Sequence, residues 1–295
     1  MDADTERANV SRMYDYLLGG SRNFAVDRER AEDALLAHPA MRHIARANRA
    51  YLRRVVQWCL EQGIDQFLDL GSDVPTVGNV HEVALRSAPS ARVAYVDIEP
   101  VAVAHAAEIL DELGNPLITI TQADIGRPQT VFDAPGVGGL FDFTRPIAVL
   151  AMAALHFVDD DVVGITAEYQ ARLAPGSVFA LSHGTDDHEN EALAAGVRAA
   201  RDAYRNTSTP LFLRDRREIA ALFGTFELVP PGLVDVVDWP TEQPGTEPAL
   251  LYAGVGRLAG PRRTARGSLA GKLGPPSSWD SAELNEAIAD DFDVN

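Results

Sequence analysis

The chain has 295 residues, 46% hydrophobic content and a formal net charge of −17 at pH 7. Its length allows one large domain or two small ones, and its apolar content is typical of a globular protein with a buried core. A single cysteine cannot form an internal disulfide, so we expect a reducing, cytoplasmic location. A strongly acidic surface repels phosphate backbones, which makes nucleic acid an unfavourable partner.

Two further classes are disfavoured by pattern. No apolar run approaches the ~18 residues of a membrane-spanning helix, and the polar start of the chain does not resemble a secretory signal. We therefore expect no membrane partner. No clustered cysteine and histidine pattern predicts a metal site.

The first segment, residues 1–63, is predicted to be a helical cap or lid. Apolar residues recur at helical spacing over 27–37 and 40–62. A short helix is expected to end at Gly19-Gly20, because paired glycines break helices.

The second segment, residues 64–257, alternates between short apolar runs and helical stretches. Strands of about five residues that alternate with helices predict βαβ units and a parallel sheet. We expect an α/β fold with a doubly wound, Rossmann-like sheet of seven strands, in which the last two strands form an antiparallel addition. The predicted strands are 66–70, 92–96, 117–121, 147–150, 178–181, 226–229 and 250–255, and the predicted helices are 80–87, 101–113, 159–173, 189–204 and 216–223.

The third segment, residues 258–295, has a different composition. Gly, Pro, Ser and Thr are frequent over 260–278, which predicts a flexible linker, and the chain ends in the acidic run DDFDVN. Residues 280–283 resemble a helix-capping box. Two interpretations are open: a tail without stable structure, or a peptide at 279–295 that folds on a protein partner.

The turn after the first predicted strand carries the main candidate site. The sequence there is Gly71-Ser72-Asp73, and Gly71 permits a sharp turn with close approach of a ligand to the backbone. A dinucleotide site needs GxGxxG, but Asp73 and Thr76 stand where the second and third glycines belong. A carboxylate beside a pyrophosphate is unfavourable, so a cationic cofactor fits better. S-Adenosylmethionine (SAM), with its sulfonium and ammonium groups, is such a cofactor.

Two further strand ends carry acids in a suitable order. Asp97 follows the second strand and can accept hydrogen bonds from both ribose hydroxyls of a nucleoside, while Ile98 can cover one face of the base. Asp124 follows the third strand and can accept from an adenine amino group, with Ile125 on the other face. Because ligands bind at the carboxyl ends of strands in doubly wound sheets, these residues are expected to form one site.

Several stretches together make the chain recognisable. They are SRMYDYLLGG at 11–20, ANRAYLRR at 47–54, QFLDLG at 66–71, LHFV at 155–158 and LAPGS at 173–177. The sequence resembles an actinobacterial family of class I SAM-dependent methyltransferases that was first catalogued as a domain of unknown function. The resemblance covers residues 8–257, about 85% of the chain.

The resemblance implies the SAM-binding fold, with the N-terminal helices over the cofactor. Both grounds predict Gly71, Asp97 and Asp124 as cofactor-binding residues. We add Asp69, Ser72, Ile98, Ile125, Tyr16 and Asn23 to the predicted cofactor site. The family loop reads Gly-Thr-Gly, and this chain has Asp73 in place of the second glycine. Asp73 is expected either to pair with the SAM ammonium or to oppose its carboxylate.

Methyl transfer requires mainly positioning of the acceptor, and a general base only where the acceptor must lose a proton. His156, after the fourth strand, is the candidate base, and Tyr14 in the cap is a second candidate catalytic residue. The sequence predicts transfer of a methyl group from SAM to a small-molecule acceptor. The alternative is a non-catalytic regulatory or interaction protein that binds SAM or its product S-adenosylhomocysteine (SAH). A nucleotide-dependent oxidoreductase is the third interpretation, which the turn at Gly71 disfavours.

Overall fold

The computed structural model describes residues 6–73, 78–207, 209–240 and 247–259. In these ranges the helices are α1 (Val10–Leu17), α2 (Ala25–Ala37), α3 (Met41–Glu61), α4 (Val80–Ser87), α5 (Pro100–Leu113), α6 (Pro128–Asp133), α7 (Pro135–Gly138), α8 (Val162–Ala171), α9 (Glu191–Ala203) and α10 (Arg216–Ala221). The strands are β1 (Gln66–Leu70), β2 (Arg92–Asp97), β3 (Ile118–Gln122), β4 (Ala148–Met152), β5 (Val178–Gly184), β6 (Glu227–Leu228), β7 (Val234–Asp235) and β8 (Leu251–Arg257).

All the described strands belong to a single sheet with the order β3-β2-β1-β4-β5-β8-β6, in which β7 also pairs with β8. Strands β1 to β5 are parallel, and β8 runs antiparallel to β5. The strand order reverses between β1 and β4, which is where doubly wound sheets bind ligands. The predicted α/β fold with a doubly wound, Rossmann-like sheet is confirmed.

The late part of the sheet differs from the expected seven strands. The chain after β6 turns at Pro230 to Gly232 and then pairs with β8 again as β7. Both short strands therefore lie along the same neighbour, β8. A strand of two residues is too short to show an alternating pattern, so β7 left no signal in the sequence. Helices α6 and α7 are short and were missed for the same reason.

Alternating residues of β1 show how the sheet is covered on both faces. Phe67 belongs to a core shared with α3 and α4, whereas Leu68 and Leu70 belong to a core on the opposite face with α8 and α10. Every residue of β1 is buried, as expected for a central parallel strand. The two layers fix the ends of the strands relative to each other. Leu70 is paired with Val96, so the turns after β1 and β2 begin side by side.

A separate cluster of buried side chains joins the N-terminal helices. Met13 and Leu17 of α1 pack with Ala31 and Ala34 of α2, and Tyr204 follows α9 in the same cluster. The predicted N-terminal helical cap is thus present. The boundary predicted at residue 63 lies inside one compact unit, Met1–Ala259.

Buried charges connect this cap to the sheet. The guanidinium of Arg12 in α1 is 1% exposed and forms ion pairs of 2.8 Å with Asp27 of α2 and with Glu99. Glu99 follows β2 and caps the start of α5 by accepting from the backbone N–H of Ala102. A single side chain thus links two cap helices to the turn after β2.

At its C-terminal end, the core extends one residue beyond the predicted boundary at residue 257. Leu258 donates its backbone N–H to Ser177 and accepts from Gly176, so it still belongs to the sheet region. The linker and acidic tail were predicted for 258–295. From residue 260 onward this segment, including the proposed peptide at 279–295, lies outside the described residues. In the ranges that the structure describes, no helix is long and apolar enough to cross a membrane.

Candidate active site

A cavity opens at the carboxyl ends of the parallel strands, beneath α1, α3 and α9. It contains about 1330 Å³ of empty space, including its mouth. Seven of the residues predicted from the sequence line it: Tyr14, Gly71, Asp97, Ile98, Asp124, Ile125 and His156. The fold therefore brings three strand ends and part of the cap together at one site.

Gly71 shapes the floor of this cavity. Its φ of +71° is one that side chains other than glycine rarely adopt. A Cβ at this position would also lie 2.7 Å from the Cβ of Ala154, which follows β4. Its backbone N–H donates to the carbonyl of Val96 at 2.8 Å. The turn is thus open to a ligand because no side chain fills it.

Asp97 is held in place by backbone donors. Its Oδ2 accepts from the N–H of Asp73 at 2.8 Å, and its Oδ1 accepts from the N–H of Glu99 at 2.9 Å. The residue is 3% exposed, and burial raises the pKa of its carboxyl group. Each oxygen keeps a lone pair for a ligand. Backbone N–H groups therefore fix the orientation of this carboxylate at the cavity wall.

Two further carboxyl groups lie close to Asp97. Burial raises the pKa of Asp69 to about 7, and burial together with the charge of Asp97 raises the pKa of Asp73. Asp69 makes no hydrogen bond in the described part of the chain, whereas Asp73 accepts one from the hydroxyl of Ser11. Asp73 adopts a φ of +57°, which Asp tolerates better than most residues. The conformation required of this position is thus compatible with its side chain.

Apolar and polar groups flank the third strand end. Ile98 is 59% exposed although it is a large apolar residue, and it lies on the cavity wall with Ile125. Asp124 accepts the backbone N–H of Gly126 at 2.8 Å and forms a 3.5 Å ion pair with Arg127. A flat aromatic base would cover the exposed isoleucine.

These features provide a test of whether SAM fits. Three carboxylates, Asp73, Asp97 and Asp124, line the cavity, and neither Lys nor Arg is among the described residues of its wall. Asp69 adds a buried carboxyl group beside them, and the charge of Arg49, which is not part of the described wall, acts on both Asp69 and Asp73. Arg49 and Arg127 offset only part of this negative charge, because burial still raises the pKa of Asp69, Asp73 and Asp97. A cationic ligand would relieve the remaining repulsion. The residues present therefore fit SAM.

The cap closes one side of the cavity through Ser11, Tyr14 and Asn48. The hydroxyl of Tyr14 donates to the carbonyl of Ala45 at 3.1 Å and accepts from the side-chain amide of Asn48 at 3.0 Å. Asn48 in turn accepts from the hydroxyl of Ser182 at 2.6 Å. Burial raises the pKa of Tyr14. Its hydroxyl thus joins α1 to α3. Because the raised pKa keeps this hydroxyl protonated, Tyr14 is unsuited to act as a base.

His156 lies on the wall where β4 ends, and its two ring nitrogens differ. Nδ1 accepts the backbone N–H of Gly184 at 3.1 Å, so this nitrogen carries no proton. Burial, followed by the charges of His183 and Arg214, lowers the pKa of His156 well below its usual value. A neutral imidazole with an unprotonated Nδ1 carries its proton on Nε2. The expected general base is therefore placed as a hydrogen-bond donor.

The neighbouring His183 has no free nitrogen. Its Nδ1 donates to the carbonyl of Gly184 at 2.8 Å, and its Nε2 accepts from Arg214 at 2.8 Å. Arg214 also donates to the carbonyls of Leu155 and Val158, on either side of His156. Burial lowers the pKa of His183 to about 4. This network fixes the turn that carries His156.

Four predicted cofactor residues are not brought to the cavity wall. Tyr16 donates to Glu32 at 2.5 Å, and Asn23 donates to Asp15 at 2.8 Å, so both stabilise the cap itself. The Ser72 hydroxyl is buried without a partner, and Asp69 lies behind the turn. The sequence motifs that contain Tyr16 and Asn23 thus have a structural use.

Other residues of the wall were not predicted. They include Ser11, His38 and Asn48. Ser11 and Asn48 lie in two of the stretches that made the chain recognisable, which was the only available signal. His38 lies between two predicted helices and had none. Among the described residues, no group of three or more His, Cys, Asp or Glu side chains is arranged to bind a metal ion.

Comparison with known proteins agrees with this geometry. The model of the family described as S-adenosyl methyltransferase matches residues 1–259. A protein of Thermobifida fusca YX assigned as a candidate methyltransferase is 35% identical, with 87% of this chain and 97% of that chain covered at a TM-score of 0.80. A DUF574 family protein of Streptomyces avermitilis MA-4680 is 34% identical, with 86% and 99% covered, also at a TM-score of 0.80.

Comparison with curated proteins found no match. The family match covers most of the chain, and the two solved structures are also similar to it in fold. Both come from actinobacteria, as the resemblance of the sequence predicted. The chain belongs to the S-adenosyl methyltransferase family and is a SAM-dependent methyltransferase.

Proposed function

We propose that this enzyme transfers the methyl group of SAM to a small-molecule acceptor that binds in the same cavity. The observation that carries the proposal is the continuity of this cavity. Its acidic part lies at the ends of β1, β2 and β3, and its apolar part lies under the cap. A small molecule in the apolar part would lie beside a cofactor in the acidic part.

The residues of the acidic part have distinct roles in this proposal. Asp97 accepts the ribose hydroxyls, because its two oxygens are oriented by backbone N–H groups. Ile98 and Ile125 cover the two faces of the adenine, and Asp124 accepts from its amino group. Asp73 faces the cationic end of the cofactor, whose positive charge would favour the ionised carboxylate, and Asp69 lies buried behind it. Asp73 would then contribute to binding and would not obstruct it.

When bound, SAM would supply a methyl group activated by its sulfonium, and SAH would be the leaving group of an in-line attack by the acceptor. The chain contributes the position of the acceptor and a dry wall around it. His156 donates a hydrogen bond from Nε2 to the acceptor oxygen or nitrogen. In the transfer, this acceptor atom would gain the methyl group as SAH leaves, and its proton would pass to solvent. Tyr14 orients the cap without exchanging a proton.

Calorimetric titration with SAM and SAH tests the cofactor site. We expect both to bind the parent protein at micromolar strength, about −8 kcal/mol. Asp97→Asn should weaken binding by at least about tenfold, since hydrogen bonds to a charged group are worth about 1.5–3 kcal/mol each. Asp111→Asn, on the exposed side of α5, is the matched control and should bind like the parent.

Transfer itself is measured with radiolabelled SAM and a panel of phenols, alcohols and amines. Product formation that requires Asp97 supports the proposal. Binding of SAH without product from any acceptor would instead favour the regulatory alternative. Equal SAM affinity of Asp97→Asn and the parent would show that the cofactor binds elsewhere.

A further inference from the structure

The apolar part of the cavity has an unusual distribution of charge. Its walls come from α3, α9 and the segment 209–213, with side chains such as Met41, Val197 and Leu211. The carboxylates of the cavity are all at the strand ends, and none of the described wall residues is a Lys or Arg. A carboxylate or phosphate on the acceptor would find no counter-charge here. An uncharged acceptor therefore fits this part of the cavity better than an anion.

One polar side chain in this part has no partner. His38, at the end of α2, is 5% exposed and lines the cavity. Its Nε2 is buried without a hydrogen bond, and its Nδ1 makes none within the described ranges of the chain. The charge of Glu247 also acts on the ring. Burial lowers the pKa of His38, so the ring is neutral. A neutral imidazole offers one donor and one acceptor.

The surroundings of His38 are shaped to admit this ring. A Cβ at Gly196 of α9 would lie 2.7 Å from the Nδ1 of His38. A glycine inside a helix is itself destabilising, so the space it leaves has a cost. Burying a polar ring without a partner is a second cost, which a leucine at the same position would avoid. Both costs are offset if a ligand supplies the missing hydrogen bond.

Building on the proposed function, we propose that the methyl acceptor is an apolar molecule, uncharged on entry, with two polar groups. One group receives the methyl beside His156. The other is a hydroxyl, amine or amide that hydrogen-bonds to His38, which makes His38 a specificity-determining residue. Since the two imidazoles belong to different elements, they select the acceptor by the separation of its polar groups as well as by charge.

Naphthalene derivatives are suitable probes, because their fluorescence reports binding to SAH-saturated protein. The panel contains a monohydroxylated naphthalene, dihydroxylated ones with hydroxyl groups on both rings at different separations, and a hydroxynaphthoic acid. The parent should bind at least one diol about tenfold more tightly than the monohydroxylated probe, as one added hydrogen bond predicts. The anionic acid should bind at least about tenfold more weakly than the monohydroxylated probe.

Variants of His38 then test whether this residue is responsible for the tighter binding of the diol. His38→Leu should abolish the advantage of the diol and leave binding of the monohydroxylated probe unchanged. His38→Asn keeps a donor and an acceptor, so it should retain part of the advantage, and it serves if the leucine variant folds poorly. His43→Leu is the matched control, because His43 contacts the carbonyl of Glu247 and does not line the cavity. It should behave like the parent.

Three results would overturn this inference: equal affinity of the parent for diols and the monohydroxylated probe, tight binding of the acid, or an undiminished diol preference in His38→Leu. Calorimetry with SAH separates this failure from failure of the proposed function. If SAH does not bind the parent, the proposed function itself is wrong. If SAH binds and the probes behave otherwise than expected, only the assignment of the acceptor is wrong.

Discussion

The backbone N–H of Gly184 donates a 3.1 Å hydrogen bond to Nδ1 of His156, 28 residues earlier in the chain. Because a backbone N–H can only donate, this contact determines which ring nitrogen of His156 carries the proton. The proton is on Nε2, so the imidazole offers the cavity a donor. In the function that we propose, this donor orients the acceptor, and His156 is not a general base.

The first prediction concerns the pH dependence of catalysis. The pKa of His156 is lowered well below its usual value by burial and by nearby His183 and Arg214. The ring therefore stays neutral throughout the range between pH 6 and 8, and kcat/KM should show no inflection there that depends on His156. His156→Gln keeps an N–H donor and should retain most activity. His156→Leu should lose about 10- to 150-fold, the equivalent of a hydrogen bond worth about 1.5–3 kcal/mol.

Comparison of these two variants shows whether His156 acts as a hydrogen-bond donor or as a base. An inflection near the ordinary histidine pKa that disappears in His156→Gln would identify a base. Equal loss of activity in both variants would carry the same meaning, since glutamine cannot accept a proton in this range. SAH affinity, measured in parallel, should be unchanged in both.

The second prediction concerns the attachment of the cap. Arg12→Met removes the guanidinium that is ion-paired to buried Asp27 and Glu99. Two buried carboxylates then lack their partner, so the free energy of unfolding should fall by about 3–5 kcal/mol. Arg30→Met is the control, because Arg30 pairs with Asp33 on the surface, where the side chains are 33% and 49% exposed. That change should cost about 0–1 kcal/mol.

Denaturant titration of the two variants decides the matter. If Arg12→Met is no more destabilising than Arg30→Met, the buried ion pairs do not anchor the cap. Weaker SAH binding by Arg12→Met would add that the cap and the turn after β2 are coupled.

The third prediction concerns the turn after β1. Gly71→Ala should be destabilising for two reasons: strain at a φ of +71° and overlap with the Cβ of Ala154. Gly63 has a φ of +78° but open space around it, so Gly63→Ala should show the strain alone, about 1–2 kcal/mol. Adding Ala154→Gly to Gly71→Ala removes the overlap and should restore stability to the level of Gly63→Ala.

Thermal unfolding and SAH titration measure both effects. SAH affinity should fall in Gly71→Ala and remain normal in Gly63→Ala. If the Ala154→Gly change does not rescue the first variant, the close contact at this turn is not what requires glycine.

The fourth prediction concerns a buried acid. Burial raises the pKa of Asp69 to about 7 in the folded protein, whereas the unfolded value is about 4. The folded state thus binds the proton more tightly, and the stability associated with this group is lost as pH rises from about 4 to 7. Asp69→Asn carries no charge, so without cofactor it should match the parent at pH 4. At pH 8 it should exceed the parent by up to about 4 kcal/mol.

Urea titration across this pH range provides the measurement. Asp65→Asn is the control, because Asp65 forms a part-exposed ion pair with Arg145 and should not gain stability at high pH. If the stability difference between Asp69→Asn and the parent does not change with pH, burial does not disfavour the ionised form of Asp69.

Local pattern was enough to predict the sheet and the order of its acidic strand ends. Short apolar runs separated by amphipathic helices specify strands and crossovers within windows of a few residues, and the positions of Gly71, Asp97 and Asp124 at the ends of these runs follow directly. The same windows could not reveal β7, which pairs through only two residues. Two residues are too few to show the alternation of buried and exposed side chains by which a strand is recognised.

The proton position in His156 could not be read from the sequence, because its partner comes from another strand. The same holds for Arg12 and Glu99, which are 87 residues apart, and for the unpartnered ring of His38 beside α9.

The sequence by itself determined that this protein is a doubly wound α/β protein with acids and a glycine at three adjacent strand ends. These features depend on residue type and spacing along the chain. Only the tertiary structure decided that Nδ1 of His156 accepts a backbone N–H, that the hydroxyl of Tyr14 joins α1 to α3, and that the described cavity wall holds no Lys or Arg. Those properties depend on which distant groups packing brings into contact, and burial then sets their protonation.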